Sequence, residues 1–176
     1  SYNTYGTLNN PIISGLYYRL LFTITMCNDY LKQTTDERLN DRGVDDALRA
    51  NIQYYRSETR FLRALMYYHA MDMFGNTPFI TENDPIGTYL PPQRSRAELY
   101  SFIESELLEL SDDPHMTEPR QNEYGRADKA AVWMLLSRLY LNAEVYIQTP
   151  KYDECMKYAR NVILSLIHIS EPTRRS

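Results

Sequence analysis

Two side chains with acid–base chemistry, His69 and Asp72, lie three residues apart in the sequence. On a helix this spacing places both on one face, where an imidazole and a carboxylate could share a proton or hold a metal ion. A zinc site needs a third protein ligand, and none accompanies this pair. The sequence also has no glycine-rich phosphate loop, Ser/His/Asp arrangement or paired-carboxylate motif. We therefore predict that the chain is not an enzyme and that this pair does not form a metal site.

A second group of side chains combines one acidic residue with three basic ones. Glu58, Arg60 and Arg63 lie within one apolar helical stretch, and Arg126 follows much later in the chain. Buried charges need partners, because a charge removed from water without one is costly. We therefore predict that these four residues form a charged seam between helices, with a structural role.

Candidate ligand-binding residues occur near the start of the chain, at Tyr2, Asn3 and Tyr5. Aromatic faces stack on the C–H faces of sugar rings, and amides form hydrogen bonds with sugar hydroxyls. Surface residues at a frayed chain end are the alternative interpretation. Most of the 16 tyrosines fall in periodic helical stretches, so packing is their expected role.

The composition indicates a globular protein with one hydrophobic core. The chain has 176 residues, of which 43% are hydrophobic, and a net charge of −4. Its basic residues are scattered singly, so no basic stripe could neutralise phosphates, and nucleic acid is excluded as a partner. Cys27 and Cys155 lie in apolar stretches and are expected to be buried thiols. No apolar run is long enough to span a membrane.

The periodicity of the apolar residues predicts an all-α fold. Val44 to Phe74 form the longest predicted helix, which ends at Gly75 and Pro78. Ser95 and Glu98 form a predicted capping box for the next helix. The last two helices have the proportions of a tetratricopeptide-like unit, so we predict antiparallel helical hairpins stacked as a short solenoid. We predict about five helices, at residues 13–31, 44–74, 95–110, 127–146 and 152–163. A charged connector is predicted at residues 32–43 and a loop at residues 76–94.

The end of the chain differs in character from the rest. Residues 164–174 (LSLIHISEPTR) resemble the translation of a sequencing-library adapter. A natural extension of the last helix is the alternative interpretation. We therefore expect a helical-repeat domain at residues 1–163, truncated at both ends, and a non-native tail at residues 164–176.

Five sequence blocks form an ordered pattern along the chain. The blocks are residues 27–31 (CNDYL), 58–64 (ETRFLRA), 74–78 (FGNTP), 94–100 (RSRAELY) and 125–131 (GRADKAA). Together they resemble the SusD/RagB family of outer-membrane nutrient-binding lipoproteins, and the resemblance extends from about Leu16 to Ile163.

The resemblance implies a function that the residues alone do not. It implies binding of a glycan or peptide nutrient at the outer-membrane cell surface, and delivery to a SusC-like TonB-dependent transporter. It also implies an N-terminal lipid anchor, which we expect to lie outside the present sequence, and no cofactor. The helices would then mainly dock the transporter, the loops above them would offer the ligand surface, and the charged seam would be scaffold. The alternative is a soluble tetratricopeptide-type scaffold that binds proteins and no glycan.

Overall fold

The computed structural model describes residues 10–85 and 91–167. Within these residues the chain forms seven helices and one pair of two-residue strands. This architecture confirms the predicted all-α class. The elements are α1 (Pro11–Gln33), α2 (Asp36–Asp41), α3 (Asp46–Phe74), β1 (Thr77–Pro78), β2 (Gln93–Arg94), α4 (Arg96–Asp112), α5 (Lys129–Leu141), α6 (Ala143–Ile147) and α7 (Tyr152–Ile167).

Polar side chains define where the major helices begin. Asn10, Asp45 and Asp128 each accept a hydrogen bond from a backbone N–H in the first turn of α1, α3 and α5, respectively. Ser95 and Glu98 form the predicted capping box at the start of α4. The 29-residue helix α3 ends at Gly75, whose φ of 76° is a conformation that favours glycine.

The five long helices, α1, α3, α4, α5 and α7, pack against one another in the order in which they occur in the sequence. Helix α1 packs on α3, α3 on α4, α4 on α5, and α5 on α7. This is the arrangement expected of stacked helical hairpins, in which each unit buries its apolar face against the next. The fully buried side chains between these helices include Ile24, Ala64, Met71, Leu99, Ile103, Leu107, Val132, Leu136 and Leu139. Over the described ranges, no helix is both long enough and apolar enough to cross a bilayer.

The helix predicted at residues 127–146 is two helices in the structure. The break lies at Asn142, whose side-chain amide donates to the Arg138 carbonyl at 3.1 Å. An asparagine that bonds to its own preceding turn competes with the helical backbone, which explains the interruption. The predicted connector at residues 32–43 likewise contains the short helix α2, which Thr35 caps.

The loop predicted at residues 76–94 contains the antiparallel pair β1–β2. Thr77 lies opposite Arg94, and the Phe79 N–H donates to the Pro92 carbonyl at 3.0 Å. Two-residue strands are too short to show an alternating pattern, so the sequence analysis missed them. At the other end of the chain, α7 continues to Ile167, and the adapter origin of residues 164–176 stays a prediction.

Candidate functional site

The charged residues predicted as one seam lie in two separate groups. In the first group, Glu58 on α3 pairs with Arg126 in the loop before α5. Arg126 Nη2 donates to Glu58 Oε1 at 2.5 Å, and Arg126 Nε donates to Glu58 Oε2 at 3.2 Å. Asn122 Nδ2 also donates to Glu58 Oε1, at 3.2 Å. This group therefore joins the middle of α3 to the loop that leads into α5.

The second group is centred on Glu106 of α4. Arg60 Nη2 donates to Glu106 Oε1 at 2.8 Å, and Arg63 Nη2 donates to Glu106 Oε2 at 2.9 Å. Burial raises the pKa of Glu106, but the hydrogen bonds and charges of both arginines outweigh this effect, so its pKa lies below the ordinary value. The carboxylate therefore remains charged at neutral pH and holds α4 against α3.

Arg63 also reaches α1 and the segment that follows α3. Its side chain is only 2% exposed. Nη1 donates to Asn28 Oδ1 at 2.8 Å and to the Glu82 carboxylate. One buried guanidinium thus connects four parts of the chain. A planar group with five N–H donors suits this position better than a lysine ammonium would.

The segment after α3 is fixed at Ile80 by two side chains. Asn28 Nδ2 donates to the Ile80 carbonyl at 3.0 Å. The Tyr67 hydroxyl donates to the same carbonyl at 2.7 Å and accepts from the Ile80 N–H at 2.9 Å. Burial raises the pKa of Tyr67 to about 12, so the hydroxyl keeps its proton and can both donate and accept a hydrogen bond.

A surface cavity of about 400 Å³ opens between α1 and this anchored segment. Its walls mix apolar side chains with acidic, basic and amide groups. Lys32 Nζ donates to the Asp84 carbonyl at 3.2 Å, and Asp84 Oδ2 accepts from the Thr81 N–H at 2.7 Å. Such a lining suits a small polar ligand with an apolar face. The lining residues described are Thr25, Met26, Asn28, Asp29, Lys32, Ile80, Thr81, Glu82, Asp84, Pro85 and Pro91.

His69 and Asp72 have separate neighbours in the structure. The Tyr146 hydroxyl donates to Asp72 Oδ1 at 2.6 Å, and the His69 ring packs edge-on against Tyr68 at a centroid distance of 5.5 Å. Within residues 10–85 and 91–167, no group of three or more His, Cys, Asp or Glu residues could hold a metal ion. Both cysteines in these ranges, Cys27 and Cys155, are free thiols.

The three predicted sugar contacts, Tyr2, Asn3 and Tyr5, lie outside the described residues and stay predictions. Conversely, the sequence analysis did not identify the partners Asn28, Glu82 and Glu106 as members of the charged network. A signal existed for Glu106, because it is a charged residue on the apolar inner face of α4. A charge in such a position indicates a buried partner.

Comparison with curated proteins provides the decisive observation. The chain is 43% identical over 148 residues, or 84% of its length, to the starch-binding protein SusD of Bacteroides thetaiotaomicron. The chain belongs to the SusD-like family. It spans 24% of the length of that SusD relative. No family model matches the chain.

Solved structures of SusD-like proteins share the fold. One is a SusD-like carbohydrate-binding protein from Bacteroides fragilis, with a TM-score of 0.68 and 20% identity; the match covers 90% of this chain and 28% of that one. Another is the surface glycan-binding protein A from Bacteroides uniformis, with a TM-score of 0.66 and 24% identity; the match covers 92% of this chain and 32% of that one. These SusD-like neighbours share the tetratricopeptide-like helical arrangement of the present chain.

Proposed function

We propose that this chain is part of a glycan-binding protein at the outer-membrane surface, which delivers its ligand to a SusC-like TonB-dependent transporter. The observation that carries the proposal is the 43% identity with a starch-binding protein over 148 residues. Solved neighbours with the same fold include a laminarin-binding SusD-like protein and one crystallised with a xyloglucan oligosaccharide. We therefore propose a neutral oligosaccharide as the nutrient, bound without catalysis and without a cofactor.

The helices and loops have different roles in this proposal. Ion pairs at Glu58 and Glu106 hold α3 to its neighbours, which suits a rigid frame that docks the transporter. The segment anchored at Ile80 and the proposed sugar contacts Tyr2, Asn3 and Tyr5 would offer ligand groups at the edge of that frame. A lipid anchor attached upstream would keep the protein at the membrane.

Affinity electrophoresis of the full-length protein tests the glycan part of the proposal. We expect gels that contain starch, xyloglucan or laminarin to retard the protein relative to a gel without polysaccharide. Co-purification of a large β-barrel transporter encoded by the neighbouring gene tests the delivery part. No retardation by any of the three glycans, together with recovery of soluble protein partners only, would favour the protein-binding scaffold instead.

A further inference from the structure

A second surface depression, distinct from the cavity beside α1, lies where α3 meets the loop before α5. It has a volume of about 540 Å³, within the range of small-molecule sites. We call it the Tyr55 groove. Its lining residues are Tyr30, Tyr55, Glu58, Thr59, Phe61, Leu62, Gly125, Arg126 and Ala127.

In the part of the chain that the structure describes, the Tyr55 groove has an aromatic surface that is open to solvent. Tyr55 is 42% exposed and Leu62 is 40% exposed. The Arg126 guanidinium lies over the Tyr55 ring, 4.9 Å from its centroid. A cation in this position is attracted to the ring and favours this orientation of the Tyr55 side chain. Any such preorganisation lowers the entropy that is lost when a ligand packs on the ring.

The two charged groups of the groove, Glu58 and Arg126, are paired with each other, which bears on the class of ligand that the groove can bind. Arg126 donates two hydrogen bonds to Glu58, and its Nη1 also lies 3.8 Å from Glu123 Oε2. A phosphate or carboxylate ligand would have to compete with Glu58 for this guanidinium. A neutral ligand with several hydroxyls would not, because a guanidinium has five N–H donors and Glu58 accepts from only two of its nitrogens.

We propose that the Tyr55 groove binds a sugar ring of a neutral oligosaccharide, with Tyr55 and Leu62 under the apolar face and Arg126 donating to hydroxyls. The inference rests on the proposed function and assigns it a specific binding surface. The sugar ring stacks on the Tyr55 ring, and Arg126, whose charge is offset by Glu58, donates hydrogen bonds to the sugar hydroxyls.

Replacement of Tyr55 in the full-length protein tests this inference. We expect Tyr55→Ala to weaken binding of maltoheptaose, or of the xyloglucan or laminarin oligosaccharide that the wild type prefers, about three- to tenfold. Tyr55→Phe keeps the ring and should bind as the wild type does. Tyr54→Ala is the matched control, because Tyr54 is the adjacent residue on α3, is 38% exposed and does not line the groove.

The possible outcomes distinguish a wrong assignment of the Tyr55 groove from a wrong proposed function. Equal affinities for Tyr55→Ala, Tyr54→Ala and wild type would contradict sugar binding in the Tyr55 groove but not glycan binding by the protein. A wild type that binds none of the three oligosaccharides would overturn both. Should Tyr55→Ala fail to fold, Leu62→Ala provides the same test with a smaller change. Normal glycan affinity with loss of transporter co-purification would assign the groove to a protein partner and contradict the proposal.

Discussion

At the scale of single residues, the charge balance around Glu106 explains how one buried and two partly buried ionic groups are tolerated. Arg63 has lost nearly all contact with water, and Glu106 is only 12% exposed. Desolvation of such groups is costly unless every charge has a partner with good geometry. Glu106 shares its two oxygens between Arg60 and Arg63, while Arg63 has further partners in Asn28 and Glu82. Removal of either arginine therefore leaves Glu106 with a single positive partner at a site largely shielded from water.

Replacement of Arg63 tests this balance. We expect Arg63→Met to lower the free energy of unfolding by about 3–5 kcal/mol, because Glu106 loses one of its two compensating charges. Chemical denaturation monitored by circular dichroism measures the change. Arg94→Met is the control, since the Arg94–Glu98 pair is about half exposed and such pairs contribute about 0–1 kcal/mol. Similar losses in both variants would argue against a special role for the buried network.

The same network predicts how stability depends on pH. The folded-state pKa of Glu106 is below its ordinary value of 4.5, so the unfolded chain binds this proton more readily. The resulting stabilisation is present above pH 4.5 and is lost as the pH falls through the folded-state pKa. We expect Glu106→Gln to unfold more easily at neutral pH and to lose less stability on acidification than the wild type. Parallel curves of unfolding free energy against pH would contradict this assignment.

At the scale of elements, the start of α4 depends on a reciprocal pair of hydrogen bonds. The Ser95 hydroxyl accepts from the Glu98 N–H at 3.3 Å, and Glu98 Oε2 accepts from the Ser95 N–H at 2.9 Å. We expect Ser95→Ala to reduce the free energy of unfolding by about 1 kcal/mol. Ser101→Ala, at an exposed position within the same helix, should have a smaller effect. Equal effects in a denaturant titration would mean that the cap does not stabilise the fold.

The sequence predicts these element boundaries better than it predicts the contacts between elements. Capping at Ser95 and the stop at Gly75 depend on residues a few positions away, so local rules suffice. Arg63 and Glu106 lie 43 positions apart, and many acidic residues could have been the partner. Their pairing depends on how α3 and α4 pack. The break at Asn142 also escaped prediction, because the apolar periodicity continues across it.

At the scale of the whole molecule, α1 presents apolar side chains to solvent. Tyr18, Phe22 and Met26 are 69%, 67% and 53% exposed, and their spacing of four residues places them on one face. Exposed apolar patches of this kind favour association with other surfaces. We expect residues 1–163, produced alone, to unfold at a lower temperature than the same region does within a longer SusD-like protein. Differential scanning calorimetry can compare the two, and equal cooperative midpoints would contradict the expectation.

The Tyr67 hydroxyl has a consequence for sequence divergence. By bonding to both the N–H and the carbonyl of Ile80, it replaces a partner strand and sets the point at which the chain leaves the helical frame. Glu82 and Asp84, which follow in the same segment, add bonds to Arg63 and Lys32, so the stretch from Ile80 to Asp84 is fixed to the helices beneath it. Sequence change in this part of the chain is therefore expected to be tolerated best after Asp84, where these bonds end.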